Sequence, residues 1–150
     1  MIAGTRSDDL LPHRTISMDS KIARDWLDEL ARTANSRDYD AHMNLISKHV
    51  NVFGVPGFEV IGYDDWARQC RHEFANGLLA GVSYTGMNVT TMTPGRIMFK
   101  TIETVEGSDG SINHQGVEIV IAQEPDKQWR VIQERILPDD ELAHERARLS

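Results

Sequence analysis

The second half of the chain has the pattern of four consecutive β-strands, and this pattern limits the fold more than any other feature. Segments rich in Val, Thr, Ile and aromatic residues are separated by three short turn signals: Pro94-Gly95, Gly107 to Gly110, and Glu124 to Lys127. The predicted strands are residues 82–93, 96–106, 112–122 and 128–137. Turns this short join antiparallel neighbours, so the sheet is a meander with one face to be covered.

The first half supplies amphipathic helices that can cover that face. Asp19-Ser20 is a candidate N-cap, and six apolar residues follow at helical spacing: Ile22, Ala23, Trp26, Leu27, Leu30 and Ala34. A second helix is predicted over residues 39–47 and a third over 66–79, with a small hairpin of strands 49–53 and 58–61 between them. We therefore expect an α+β fold, a curved, mostly antiparallel sheet wrapped around N-terminal helices.

Length and composition limit the number of domains and the classes of partner. A chain of 150 residues with 40% hydrophobic residues fits one domain, which we divide into a flexible arm (1–18), the folded domain (19–138) and a charged tail (139–150). The net charge of −7 disfavours nucleic acid and membrane surfaces as partners. The N-terminus has acidic residues where a signal peptide needs an apolar core, so a cytoplasmic location is expected.

Neither a metal nor a cofactor is expected. The histidines lack the spacing of a metal site, since no two of them are four residues apart on a helix. His42 and His49 could still meet across a helix–strand junction. The single cysteine, Cys70, excludes an intramolecular disulfide. It lies on the apolar stripe of the third helix, which favours a buried, inert thiol.

Four short stretches stand out along the chain: Trp26 in the first helix, Asp38-Tyr39-Asp40-Ala41 at the second, Gly62-Tyr63-Asp64-Asp65-Trp66 at the third, and the ending Trp129 to Arg135. Together they resemble the nuclear transport factor 2-like superfamily, which includes ketosteroid isomerase-like and polyketide cyclase-like members. The similarity covers Ser20 to about Leu137. It implies a cystatin-like cone with a pocket between helices and sheet, a fold that hosts enzymes, binding modules and oligomerisation domains alike.

The resemblance does not carry over the proton-shuttling carboxylate of ketosteroid isomerase-like members. That group lies on the first strand, and its position falls at about Gly54 here, with no Asp or Glu between Lys48 and Phe58. Glycine cannot act as a general base. Steroid-type isomerisation by the usual residues is therefore not expected, and His49 or Glu59 would need an altered geometry to replace them.

Strand parity predicts a cluster of polar residues on one sheet face. A four-residue loop at 107–110 would pair Glu103 with His114, and a turn centred on Pro125-Asp126 would pair Glu118 with Gln133. The same face then collects Arg135. We predict catalytic roles for His114, Glu103 and Arg135, and ligand contacts from seven others: Trp26, Tyr39, Tyr84, Phe99, Glu118, Trp129 and Gln133.

A plainer interpretation competes with this site. Glu118 and Arg135 could form an ordinary pair on a solvated face, while Val117, Ile119 and Ile121 pack on the helices. Charged cross-strand pairs are more often such surface features, which favours this second interpretation.

These patterns predict a homodimeric domain that binds a small apolar or aromatic molecule. A cofactor-independent isomerase, dehydratase or cyclase is included in that expectation. A dimer is expected because the second sheet face carries apolar residues. Two alternatives stay open: a non-catalytic homo-oligomerisation module, and the structural small subunit of an aromatic-ring dioxygenase.

Overall fold

The computed structural model describes residues 20–149, so the predicted arm over 1–18 lies outside the described residues. Four helices are present: α1 (described over 20–35), α2 (Tyr39–Met43), α3 (Tyr63–Ala75) and α4 (Asp139–Arg148). Five strands are present: β1 (Ile46–Phe53), β2 (Leu79–Thr93), β3 (Arg96–Gly107), β4 (Ile112–Gln123) and β5 (Trp129–Ile136). None of the helices within 20–149 is long and apolar enough to cross a bilayer.

The strands form one curved, open sheet in the order β1-β5-β4-β3-β2. The predicted antiparallel meander is confirmed. β1 adds a fifth strand parallel to β5, which the sequence pattern did not indicate. The predicted partner strand at 58–61 is reduced to one bridge between Val52 and Ile61. The small hairpin is therefore mostly a loop, and β1 is bonded into the main sheet.

One face of the sheet, here called the inner face, packs against the helices. Its central side chains are almost completely buried: Ile97, Phe99, Val117, Ile119, Ile121 and Val131. Trp26 of α1 meets Phe99 edge-on, with ring centroids 6.3 Å apart. The two rings fill the middle of the cone, so Trp26 and Phe99 belong to the core.

The predicted pairing of β3 with β4 is wrong by one residue. Gly107 N donates to Ser111 O (2.8 Å), and Asp109 accepts from the Ser111 backbone and hydroxyl. This tight loop pairs Glu106 with Ile112, so that Glu103 lies opposite Gln115 and His114 lies opposite Thr104. A shift of one residue reverses the side-chain parity between strands. Glu103 and His114 therefore occupy opposite faces.

The pairing of β4 with β5 also differs, by two residues. Glu118 lies opposite Arg135, and Gln133 lies opposite Val120. A shift of two preserves parity, so Glu118, Gln133 and Arg135 still share a face. That face, here called the outer face, is the one away from α1 and α3. The predicted cluster is thus divided, with Glu103 on the inner face and its other polar members on the outer face.

The charged tail is a helix that packs on the outer face. Arg135 Nη2 lies 2.9 Å from Glu141 Oε2, and Lys100 Nζ lies 4.0 Å from the same atom. Glu145 is only 5% exposed and is bonded by Asn88 and Arg148. Side chains of three strands, the charged Lys100 and Arg135 and the neutral Asn88, therefore hold α4 against the sheet.

Candidate functional site

An inner cavity of about 250 Å³ lies at one end of the cone, between the inner face and the helices. Helix α1 is fixed at this end by Asn35, whose side chain exchanges two hydrogen bonds with the Val82 backbone (2.7 and 3.0 Å). The walls come from all layers of the fold: Leu30, Ala34, His42, Trp66, Cys70, Glu73, Phe74, Leu79, Val82, Tyr84, Glu103, Val105 and Glu134. An apolar cavity with a few convergent polar groups is typical of small-molecule sites.

Glu134 is the most perturbed carboxyl group of the inner cavity. It lies on β5 with its Cα opposite Ile119, whose side chain is fully buried. Burial, and then the nearby charge of Glu103, raises the pKa of Glu134 to about 8. The described part of the chain offers its carboxyl group neither a hydrogen bond nor an ion pair. At neutral pH the group is therefore protonated and able to donate a proton into the cavity.

Glu103 is the second carboxyl group, and neutral donors hold it. Tyr84 Oη donates to one oxygen (2.9 Å) and Gln115 Nε2 donates to the other (2.8 Å). Burial, with the charges of Glu103 and Glu134, raises the pKa of Tyr84 well above its ordinary value, so its phenol keeps its proton. Three adjacent strands thus fix Glu103 as an acceptor in the cavity that Glu134 of β5 also lines.

The end of the cavity nearest α1 and α2 carries a buried histidine. His42 is 6% exposed, its Nδ1 lies 2.8 Å from Thr33 Oγ1, and its ring meets Phe74 edge-on at 5.7 Å. Burial lowers the pKa of His42 to about 4, so the ring is neutral at pH 7. Cys70 is buried as expected, and burial raises the pKa of its thiol to about 12. Cys70 is therefore no nucleophile.

The inner cavity has no cationic side chain among its described lining residues. Three of those residues are carboxylic acids: Glu73, Glu103 and Glu134. An anionic ligand would meet repulsion without a compensating partner. The chemistry of the lining therefore favours a neutral ligand.

A wider groove of about 660 Å³ runs along the other side of α3. It shares four lining residues with the inner cavity: Trp66, Cys70, Glu73 and Glu134. The loop after β1 contributes Val55 and Phe58, and Phe58 is 60% exposed. Glu134 therefore borders both spaces, and the groove gives a larger ligand a place to extend.

Only two of the predicted site residues, Tyr84 and Glu103, line the inner cavity. His114 is exposed on the outer face with its Nδ1 2.8 Å from Thr104 Oγ1, and Gln133 is exposed there too. Arg135 is bonded to Glu118 (both contacts 3.2 Å) and pairs with Glu141, which raise its pKa. The guanidinium of Arg135 therefore lies on the opposite side of the sheet from the inner cavity, and its predicted catalytic role stays a prediction.

The remaining predicted ligand residues lie elsewhere. Trp26 and Phe99 are buried in the core, and Trp129 packs at its edge. Tyr39 lines a separate polar pocket near β1, where its hydroxyl accepts from Arg71 (2.9 Å). The guanidinium of Arg130 in that pocket is already bonded by Asn44, Glu124 and Asp126. The charge of Arg130 in that pocket is therefore already paired within the protein.

Residues 20–149 contain no group of three or more His, Cys, Asp or Glu side chains placed to hold a metal ion. No protein-family model and no curated protein matches the chain. A solved structure from Novosphingobium aromaticivorans, a nuclear transport factor 2-like protein with a cystatin-like fold, superposes with a TM-score of 0.65 at 18% identity. The match covers 95% of this chain and 96% of that one. The chain has the nuclear transport factor 2-like fold.

Two other solved structures from the same organism share the fold. A candidate aromatic ring hydroxylase has a TM-score of 0.63 at 14% identity, covering 81% of this chain and 91% of that one. A candidate scytalone dehydratase has a TM-score of 0.59 at 12% identity, covering 85% and 84%. The resemblance seen in the sequence is thus confirmed for the fold, and the site must be argued from its own residues.

Within this nuclear transport factor 2-like fold, the perturbed carboxyl group of the inner cavity lies on β5, and β1 carries no Asp or Glu. Gly54 has φ +89°, and a Cβ there would lie 2.9 Å from the Ile136 carbonyl oxygen. A side chain at position 54 is therefore excluded on steric grounds. On β1 the inward residue Val52 lies beside Glu134 of β5 in the parallel register.

Sequence reasoning missed Glu134 and underrated His42. A signal for Glu134 was present, because it stands alone between Ile132 and Ile136 at alternate positions of the last predicted strand. A single carboxyl group in an apolar stripe indicates a group kept neutral or used in chemistry. His42 showed no such signal, because its burial depends on how α2 packs against α1 and α3.

Proposed function

We propose that this domain binds a small, neutral, largely apolar molecule in the inner cavity and moves a proton on it through Glu134. One observation carries the proposal: an unpaired carboxyl group, protonated at neutral pH, lines an apolar cavity beside a second carboxyl group held by neutral donors. Pairs of acids whose environments differ in this way are typical of acid–base sites.

The reaction class that this pair supports is a proton shift next to a carbonyl group. Glu134 donates its proton to the carbonyl oxygen as Glu103 removes one from the adjacent carbon. The ketone becomes an enol, and the two acids still hold one proton between them. Such a step underlies isomerisation, dehydration and cyclisation without a cofactor. The Tyr84 hydroxyl orients Glu103 throughout.

The fold neighbours support this proposal in its coarse form. Their names include a candidate scytalone dehydratase and a candidate aromatic ring hydroxylase, both connected with small-molecule chemistry. The lining narrows the choice for this chain, because three carboxylic acids without a cation disfavour aromatic acids.

Matched ligand pairs test the proposal. Thermal-shift and calorimetric titrations would compare acetophenone with benzoate, and a neutral naphthyl ketone with naphthoate. We expect binding of the ketones and no binding of the carboxylates, with Glu134→Gln weakening the response to the ketones. If no neutral compound binds, or if each carboxylate binds as well as its ketone, the proposal is wrong.

Self-association is a separate proposal. Met98 and Val120 on the outer face stay partly exposed on the two strands that α4 contacts, and a second copy covering them would give the predicted homodimer. Light scattering across a range of concentrations tests it, and a strict monomer would contradict it. The alternatives of an oligomerisation module and a dioxygenase small subunit stay predictions, as does the cytoplasmic location.

A further inference from the structure

His42 is a buried polar side chain of the inner cavity that the proton shift through Glu134 does not use. Its Nδ1 faces Thr33 at 2.8 Å. Apart from Thr33 and the Leu30 carbonyl group beside it, the ring has no hydrogen-bond partner among residues 20–149, although it is 6% exposed and lines the cavity. Nε2 is not among the fully enclosed side-chain atoms that lack a partner within residues 20–149, so a ligand in the cavity that His42 lines can reach it.

The surroundings of Thr33 decide which ring nitrogen carries the hydrogen. Thr33 Oγ1 lies 2.9 Å from the Glu29 carbonyl oxygen and 3.1 Å from that of Leu30. Carbonyl oxygens only accept, so the hydroxyl hydrogen points at one of them. If it pointed at Nδ1 instead, the hydroxyl lone pairs would face those of two carbonyl groups. Thr33 therefore accepts from Nδ1–H, and Nε2 keeps a free lone pair.

The ring is held in this state by its packing. The edge-on contact with Phe74 limits its rotation, and the burial that lowers its pKa keeps it neutral at pH 7. Nε2 is thus a fixed hydrogen-bond acceptor. Glu134, by contrast, is a hydrogen-bond donor in the same cavity.

The ligand group that complements Nε2 is a hydroxyl. An ammonium group could also donate, but the neighbours of His42 in the lining are Leu30, Ala34 and Phe74, which offer a cation no compensation for lost hydration. A volume of about 250 Å³ admits roughly ten non-hydrogen atoms at about 25–30 Å³ each, the size of a one- or two-ring molecule.

From this geometry we infer that the inner cavity selects neutral ring compounds bearing a hydroxyl group, and that His42 Nε2 accepts the hydrogen bond from that hydroxyl. Thr33 is the positioning residue that sets the tautomer. The inference rests on the proposed function in taking the inner cavity as the ligand site. It adds the chemical class of the ligand, hydroxylated rings, and names His42 as the residue that recognises the hydroxyl group.

Nuclear magnetic resonance of the free protein tests the tautomer without any ligand. In ¹⁵N-labelled protein at pH 7, His42 should show a protonated, pyrrole-type Nδ1 and an unprotonated, pyridine-type Nε2. Thr33→Val keeps the shape of the side chain but removes the acceptor of Nδ1–H, so it should populate the other tautomer. The reverse assignment in the wild-type protein would overturn the inference.

A matched ligand pair tests the selectivity. The probes are 2-naphthol and its methyl ether, which differ in the donor hydrogen, titrated by calorimetry. We expect 2-naphthol to bind about tenfold more tightly, as one hydrogen bond to a buried acceptor implies. His42→Phe keeps an aromatic ring and should abolish the difference, and Thr33→Val should reduce it.

The possible results separate this inference from the proposed function. Equal affinity for naphthol and its ether would overturn the role of His42 while leaving the cavity a ligand site. Failure of both probes, together with failure of the neutral ketones, would overturn the ligand site itself and the inference with it. If His42→Phe does not fold, the Thr33→Val result and the tautomer of His42 in the wild-type protein still decide whether His42 accepts the hydrogen bond.

Discussion

Glu134 and Arg135 are neighbours in β5, yet the two faces of the sheet treat their charges in opposite ways. On the outer face Arg135 lies between Glu118 and Glu141 at 3.2 and 2.9 Å, and these partners favour its charged form. On the inner face Glu134 has no cation, and burial favours its neutral form. The carboxyl groups of Glu118 and Glu141 on the outer face are paired with a cation, whereas Glu134 on the inner face keeps its proton at neutral pH and can donate it.

The difference indicates that charged groups on the outer face stabilise the fold, whereas those on the inner face are available for chemistry. Complementary charges join α4 to the sheet on the outer face, a role that ends once they are paired. On the inner face the carboxyl group of Glu134 is held at a cost, because folding shifts its pKa away from the value in the unfolded chain. Such a cost is typical of functional sites.

The largest expected effect is that of Glu134→Gln on stability at alkaline pH. Below the ordinary pKa of 4.5 both the folded and the unfolded protein bind the proton, so Glu134 adds no penalty. As pH rises through about 8 the penalty becomes complete, and it amounts to a few kcal/mol at roughly 1.4 kcal/mol per pH unit. Urea unfolding at pH 8.5 should show the variant to be the more stable protein, with little difference near pH 4.

The control for this experiment is Glu106→Gln, which changes an exposed carboxyl group on β3. It should shift stability by less than about 0.5 kcal/mol at either pH. A pH-independent effect of Glu134→Gln would mean that the inner face does not hold this carboxyl group neutral.

The next largest effect is expected from Arg135→Met on the outer face. The substitution leaves Glu118, whose side chain is 13% exposed, without its cation, and it should destabilise the fold by about 1–3 kcal/mol. Ketone binding in the inner cavity should be unchanged, because the guanidinium lies across the sheet. Arg32→Met removes an exposed pair with Glu29 and serves as the control, with an expected loss below about 1 kcal/mol.

Loss of ligand binding in Arg135→Met without loss of stability would restore the site first expected from the sequence. That site depended on a loop drawn one residue too short: the loop includes Ser111, which the Asp109 side chain binds outside the paired residues of the strands. The order of helices and strands was predictable because hydrophobic periodicity is local. The parallel pairing of β1 with β5 and the parity of His114 were not, because they depend on contacts distant in the chain.

A smaller effect is expected for Tyr84→Phe. The variant removes one of the two donors to Glu103 and should cost about 1 kcal/mol in stability. It should also weaken ketone binding, because the orientation of Glu103 then depends on Gln115 alone. Tyr63→Phe is the matched control, since within the described residues the Tyr63 hydroxyl makes no hydrogen bond. Equal effects of the two variants would remove the orienting role of Tyr84.

The smallest effect is expected for His114→Ala. His114 is exposed and bonded only to Thr104 among the described residues, so stability should change by less than about 0.5 kcal/mol and ligand affinity should not change. A clear loss of affinity, measured by calorimetry with the ketone probes, would place the ligand on the outer face.

The most direct test of the proton held by Glu134 is its own titration. The side-chain carboxyl ¹³C resonances of glutamate would be followed from pH 3 to 10 in the wild-type protein and in Glu134→Gln, where the missing resonance gives the assignment. We predict that the Glu134 resonance titrates near pH 8. Titration near 4.5, together with the exposed glutamates, would contradict a neutral acid in the inner cavity.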